Sequence, residues 1–221
     1  MAITLLDKLA SAHRLVLPGI DALRSQLQCV ELQPREAAFH QGVACPYVHI
    51  VRRGLFKQLY VTAHGSEWIK SFAGPGDLFA CPSALDGKAP TTFASVAIEA
   101  SVVERIDFRL LERAGESSAA WQKAIRLAFQ RLAEIKVERE RELLTFTPRE
   151  LYARLKASAP QWVDRVPQKD LAGYLGVTAV GLNRIIRGSA EDRPSHAPRS
   201  RVTADRADVR SAAGSVRHRS A

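Results

Sequence analysis

The sequence predicts an α+β chain in which a β-roll is followed by a long helix and then by short helices at the C-terminal end. Three observations carry that expectation. Apolar runs punctuated by glycine fill the stretch from Cys29 to Asp107. The apolar spacing then changes to threes and fours between about Ser117 and Leu144. Finally, Gln168 to Arg187 reads as helix, glycine turn and helix in succession.

The elements come in order. Within residues 3–27, Leu5, Leu6, Leu9, Leu15, Leu23 and Leu27 recur at helical intervals, broken at Pro18-Gly19. From Cys29 onward Val48, Ile50, Leu55, Leu59 and Val61 alternate loosely, and Gly42, Gly54, Gly65, Gly74, Gly76 and Gly87 mark turns. Short strands with frequent turns suit an all-β roll or barrel rather than βαβ units. Val96, Ile98, Val102, Val103 and Ile106 close it. In the long helix Trp121, Ile125, Ala128, Leu132 and Ile135 form a seam at spacings of four and three, flanked by charges from Lys123 to Glu142. A helix so narrowly apolar suits a partner helix, so a homodimer seam is expected; the alternative is that the seam lies on the chain's own roll.

Thr147-Pro148-Arg149-Glu150 combines an N-cap threonine, a proline at the first helical position and a glutamate at the third, a capping box that starts a new helix. Leu151, Leu155 and Trp162 would pack that helix onto the pair of helices between Gln168 and Arg187. Leu171 and Leu175 share one helical face, Gly176 can take the left-handed conformation that ends the helix, and Thr178 can cap the next. Leu182, Ile185 and Ile186 form an inner stripe, leaving Ala179, Asn183, Arg184 and Arg187 outward. Such a helix-turn-helix can place its second helix in the major groove of DNA. The expected division is a sensor roll with its N-terminal helix (1–115), a long dimerisation helix (116–146), a DNA-binding unit (147–190) and a basic, disordered tail (191–221) holding seven arginines and four acids.

Composition agrees with a polyanionic partner: 32 Lys and Arg face 23 Asp and Glu, a net charge of +9. No run is long and apolar enough for a membrane span, and the N-terminus lacks the apolar core of a signal peptide. Cys29, Cys45 and Cys81 are widely spaced, which argues for reduced thiols in a cytoplasmic protein. An enzyme is not expected. Gly87-Lys88 resembles the end of a P-loop, but Pro82 stands at its first glycine and Ala89 at its Ser/Thr position.

Phe39-His40-Gln41-Gly42, the run Val48 to Lys57, Gly65-Ser66-Glu67-Trp68 and Phe72-Ala73-Gly74-Pro75-Gly76-Asp77-Leu78-Phe79 resemble the β-roll of the cyclic-AMP receptor protein/FNR (Crp/Fnr) family of bacterial regulators. The long helix and the helix-turn-helix come in that family's order, so the resemblance covers about residues 20 to 187. It implies a cyclic-nucleotide-binding-like jelly roll (a double-stranded β-helix) and a winged-helix-like reader. It further implies a homodimeric, cytoplasmic transcription regulator working on a pseudo-palindromic operator with RNA polymerase. No strand pair can be read after Gly188, which leaves the usual wing unsupported.

Alignment to the family assigns candidate residues. Cys81 and Pro82 stand where the nucleotide-binding members carry Gly-Glu, and Thr92, Phe93 and Ala94 where they carry Arg-Ser-Ala. Without that arginine the clamp on a cyclic phosphate is lost, and Pro82 offers neither carboxylate nor N–H, so cyclic AMP is not expected. An effector pocket for another small molecule would draw on Phe79, Pro82, Ser83, Ala84, Thr91 and Thr92. An iron–sulfur cluster lacks its cysteines, and haem would have only single candidates among His40, Cys45, His49, His64 and Cys81, so no cofactor is expected. On the reader, Arg184 keeps the last position of the family's Arg-Glu-x-x-x-Arg pattern and is assigned to guanine. Asn183 is assigned to adenine, Ala179 and Val180 to thymine methyls, and Gln168, Lys169, Thr178 and Arg187 to phosphates. The alternative function is an effector-binding or interaction module whose DNA binding is lost or impaired.

Overall fold

A computed structural model of the chain describes residues 5–11 and 14–191; the tail expected beyond Glu191 lies outside the described residues. The roll consists of two four-stranded antiparallel sheets. One contains β1 (Gln28–Leu32), β3 (Tyr47–Arg53), β6 (Leu78–Phe79) and β8 (Ser101–Asp107) in the order β1-β8-β3-β6. The other contains β2 (Ala37–Phe39), β4 (Phe56–Val61), β5 (Glu67–Ala73) and β7 (Ala94–Ala97) in the order β2-β7-β4-β5. Central pairing sets Val48 opposite Ile106 and Val51 opposite Val103, while Phe56 meets Ala73 and Ala97 on the second sheet.

The sheets enclose Phe39, Val51, Phe56, Phe79, Phe93 and Val103, all buried. Between β3 and β4 the chain reverses at Gly54, whose φ is +95°. A Cβ there would lie 2.0 Å from Ser101 Oγ, so only glycine fits the close approach of this turn to the start of β8.

The helices are α1 (Leu5–Ser11), α2 (Ile20–Arg24), α3 (Phe108–Ser117), α4 (Ala119–Thr145), α5 (Pro148–Ser158), α6 (Pro160–Arg165), α7 (Gln168–Tyr174) and α8 (Ala179–Glu191). Of these, α3 and α6 are not expected from the sequence. The Asp107 side chain accepts from Arg109 N at 2.9 Å and starts α3, and Ser118 in extended conformation separates α3 from α4. Pro160 opens the short α6, a start that the sequence analysis did not mark. The capping box at Thr147 and Glu150 forms as expected.

On its inward side α4 packs against the chain's own core, the alternative that the sequence left open for the seam. Trp121 and Ala124 are buried with Leu6, Leu9, Leu17, Ile50, Ile106 and Leu111, and Ile125 and Ala128 pack against the same cluster. Trp121 Nε1 donates to the Pro18 carbonyl at 2.7 Å, fastening α4 to the N-terminal segment. Leu132 is half-buried, and only Ile135 among the five seam residues is exposed. The reason is that α1, α3 and the roll already cover that face. The apolar surface that α4 leaves open lies farther along, at Ile135, Val137, Leu143 and Leu144.

Candidate nucleic-acid interface and ligand cleft

A third core, Leu151, Tyr152, Leu155, Val166, Leu171, Leu175 and Leu182, builds the C-terminal helices around one another. Gly176 has φ +71° and ends the turn after α7. Thr178 Oγ1 accepts from Gly181 N at 3.1 Å at the start of α8. Leu182 is fully buried and fixes the rotation of α8. Ala179, Val180, Asn183, Arg184 and Arg187 are therefore exposed, and their spacing puts them on one side of the helix. Val180, 63% exposed, is an apolar side chain held in solvent. Gln168, Lys169 and Thr178 are also exposed, the first two at the N-terminal end of α7 and the third just before α8. After Gly188 the backbone continues as helix to Glu191, so no strand follows α8 among the described residues.

These helices rest on the roll through contacts that span long sequence separations. Asp170, buried in α7, accepts from Lys57 Nζ of β4 at 3.2 Å, and Lys57 also pairs with Glu67 at 3.1 Å. Arg165 pairs with Glu99. Phe72 of β5 meets Trp162 and Tyr174, with ring centroids 5.9 and 5.1 Å apart, and the Arg139 guanidinium lies 3.7 Å over the Tyr174 ring. Burial pushes the Tyr174 hydroxyl above its ordinary pKa, with Arg139 pulling the other way.

Only part of the expected effector pocket forms. A cleft of about 990 Å³ opens between the roll and α4, and Phe79 and Pro82 line it. Ser83, Ala84, Thr91 and Thr92 do not. Their turn is closed on itself. Thr91 Oγ1 donates to the His40 carbonyl at 2.5 Å and accepts from Val43 N at 3.1 Å, and Ala84 is buried among aromatic rings. Cys81 Sγ is the hydrogen-bonding centre of this turn. It accepts from Thr92 N at 3.3 Å and contacts the hydroxyls of Ser83 and Thr92 at 3.3 and 3.5 Å. Burial raises the Cys81 thiol pKa, but these hydrogen bonds together outweigh it and hold the thiol below its ordinary value.

The polar groups that do face the cleft come from elsewhere. Lys70 of β5 sits 3.7 Å over the Phe93 ring, and Lys136 of α4 reaches Ser71 Oγ at 3.4 Å at the mouth. Ser71 in turn donates to Gln58 Oε1 at 2.8 Å. Burial first, and the charge of Lys136 second, lower the Lys70 pKa to about 8. Burial and Arg139 lower that of Lys136. The sequence does not single out either lysine, because nothing local distinguishes them from surface lysines.

Beside the cleft, His49 of β3 is fully buried, stacked on Phe79 with centroids 4.8 Å apart and planes 5° apart. Neither ring nitrogen has a hydrogen-bond partner among the described residues. Burial pushes its pKa down to about 3.

The described residues thus form a β-roll joined by a long helix to a small helical unit. The sequence model of the cyclic nucleotide-binding domain matches residues 29–117, and the fold is similar to that of several solved structures. FixK2 from Bradyrhizobium japonicum is similar in structure, with a TM-score of 0.63 at 18% identity over 75% of this chain and 85% of its own. CLP, the c-di-GMP-responsive global regulator of Xanthomonas campestris, has the same TM-score at 13% identity, covering 80% of this chain and 93% of its own. CprK in complex with OCPA gives 0.57 at 14% identity, over 80% and 84%. No curated protein sequence matches the chain. None of the described helices is long and apolar enough to cross a membrane.

Proposed function

We propose that the protein is a sequence-specific DNA-binding transcription regulator of Crp/Fnr type rather than an enzyme. It works in the cytoplasm as a homodimer, and occupancy of the cleft between roll and α4 is its signal. The observation that carries this reading is the outward set on α8. Asn183, Arg184 and Arg187 stand exposed beside Val180, while Leu182 anchors the opposite side. An Arg and an Asn on an open helix face match the donor patterns that read guanine and adenine, and the exposed Gln168, Lys169, Thr178 and Arg187 would hold phosphates and fix register. The roll, α4 and the helix pair would then bind duplex DNA as a two-fold unit on a pseudo-palindromic operator and act on RNA polymerase there. The exposed Ile135, Val137, Leu143 and Leu144 of α4 support helix pairing between protomers. The domain limits obey the same logic, with the reader starting at the Thr147 cap.

Selection of genomic fragments by the purified protein, followed by titration of the enriched site, tests the reading. Arg184→Ala is expected to weaken binding by about 1–3 kcal/mol and to relax preference at one base position while leaving the fold intact. Equal affinity and selectivity for the variant would remove Arg184 from base reading. Failure to enrich any sequence would favour a module that binds an effector without reading DNA.

A further inference from the structure

Three lysines of the cleft lining, Lys8, Lys70 and Lys136, have no carboxylate partner among the described residues, and two of them, Lys70 and Lys136, adjoin one another. Lys57 of the neighbouring strand β4, by contrast, has two carboxylate partners, Glu67 and Asp170. The Lys70 ammonium rests on the Phe93 ring and that of Lys136 on the Ser71 hydroxyl. Each feels a neighbouring positive charge, and the half-buried Lys70 is partly removed from water as well, an arrangement that disfavours its charged form unless an anion joins it. A third donor points the same way. Gln58 Oε1 is occupied by Ser71, and its Nε2 has no hydrogen-bond partner among the described residues. The carboxylates on the same cleft are already engaged: Asp77 accepts from Gly74 N at 2.9 Å, and Glu134 from Gln130 and Arg131 at 3.1 and 3.4 Å.

The remaining lining is largely apolar, with Phe72, Phe79, Leu132 and Ile135 around the polar end. A volume of about 990 Å³ lies at the upper end of the usual range for small-molecule sites. We propose that this cleft binds an organic anion with an aromatic or acyl body, its acid group held by Lys70 and Lys136 with the Gln58 amide as third donor. The acid group then sits on β5 and α4, away from the turn of residues 81–94, whose hydrogen bonds are already satisfied by Cys81, Ser83 and Thr92. Because Lys136 and Trp162 both border the cleft, an occupant touches the long helix and the C-terminal domain at once.

The inference rests on reading the cleft as the signal-receiving site, and its test uses no DNA, so failure of operator recognition would leave it standing. The probes are anilinonaphthalene sulfonate and phenylnaphthylamine, the same ring system without the acid group, each titrated by fluorescence against the full chain. The wild type is expected to prefer the sulfonate. Lys70→Gln with Lys136→Gln should reduce that preference about tenfold, and Lys70→Arg with Lys136→Arg should retain it. Should the double Gln variant fail to fold, Lys136→Gln alone, at the exposed mouth, should reduce the preference about threefold. A preference that stays within about twofold of wild type in the Gln variants overturns the proposal. So does a wild type that binds the uncharged rings as tightly as the sulfonate, or binds neither.

Discussion

In the β-roll, His49 lies stacked on Phe79 out of reach of water and Lys70 folds over Phe93, whereas in the C-terminal domain Lys169, Arg184 and Arg187 all stand in solvent. The roll turns titratable groups inward, where burial shifts their proton affinities and two lysines crowd without counter-charge. The helix pair turns its cations outward, where an external polyanion can meet them. A receptor for a small molecule needs the first arrangement and a reader of duplex DNA the second, because a cleft gains selectivity by desolvation and a groove is met only at a surface.

The strongest way to break this division is to attack the shared core. Trp121→Ala removes a buried indole that joins α4 to Leu6, Leu9 and the roll, together with its hydrogen bond to Pro18. A loss of about 3–5 kcal/mol in urea unfolding is expected. A loss below about 1 kcal/mol would mean that α4 is not part of the roll's interior and that Trp121 is free to serve a partner helix instead.

The next largest effect is one of pH. His49 has a folded pKa of about 3 against an ordinary 6.5. Below pH 6.5 the unfolded chain therefore takes up a proton that the folded chain refuses. The contribution of the neutral ring is complete above pH 6.5 and is lost progressively as pH falls toward 3, at about 1.4 kcal/mol per unit. His49→Phe keeps an aromatic ring on Phe79 and removes the titration. Urea unfolding at pH 6.5 and 5 should show the wild type losing about 2 kcal/mol more than the variant. Parallel losses would place His49 in contact with solvent.

These two regions were not equally legible in the sequence. Thr147 with Glu150, Gly176 and Thr178 are devices acting over a few residues, and each could be read from its neighbours and is found in place. The roll was recognisable from glycine spacing and the Pro75-Gly76-Asp77 turn. Its cleft was not, because Lys70 and Lys136 come from separate elements and meet only after α4 folds back over β5. The periodicity of Trp121, Ile125 and Ala128 correctly marks an apolar face, but periodicity names no partner, and the chain's own N-terminal segment supplies it. Ser118, which interrupts the helix between α3 and α4, carries no glycine or proline signal, and the short α6 that Pro160 opens has too few residues to show a periodicity.

A smaller effect probes the joint between the two regions. Asp170 and Lys57 lie 113 residues apart in sequence and are both largely buried. Asp170→Asn retains shape and a hydrogen-bonding oxygen but removes the charge. Lys57 keeps Glu67, so the expected loss is about 1–2 kcal/mol in urea unfolding, the lower part of the range for hydrogen bonds to charged groups. No loss would show that α7 is held to the roll by Phe72, Trp162 and Tyr174 alone.

The smallest effect on the protomer is the most informative about assembly. Leu144 is 78% exposed near the end of α4, beyond the half of the helix that the roll covers. Within one protomer Leu144→Glu removes almost no packing, so its unfolding free energy should stay within about 0.5 kcal/mol of wild type. In a paired α4 the same carboxylate would be driven into an apolar seam and would meet its symmetry mate there, an arrangement that opposes association. Sedimentation equilibrium of the variant should therefore report one protomer where the wild type reports two. An unchanged dimer would move the contact away from Leu144, and a destabilised protomer would place the second half of α4, like the first, against the chain's own core.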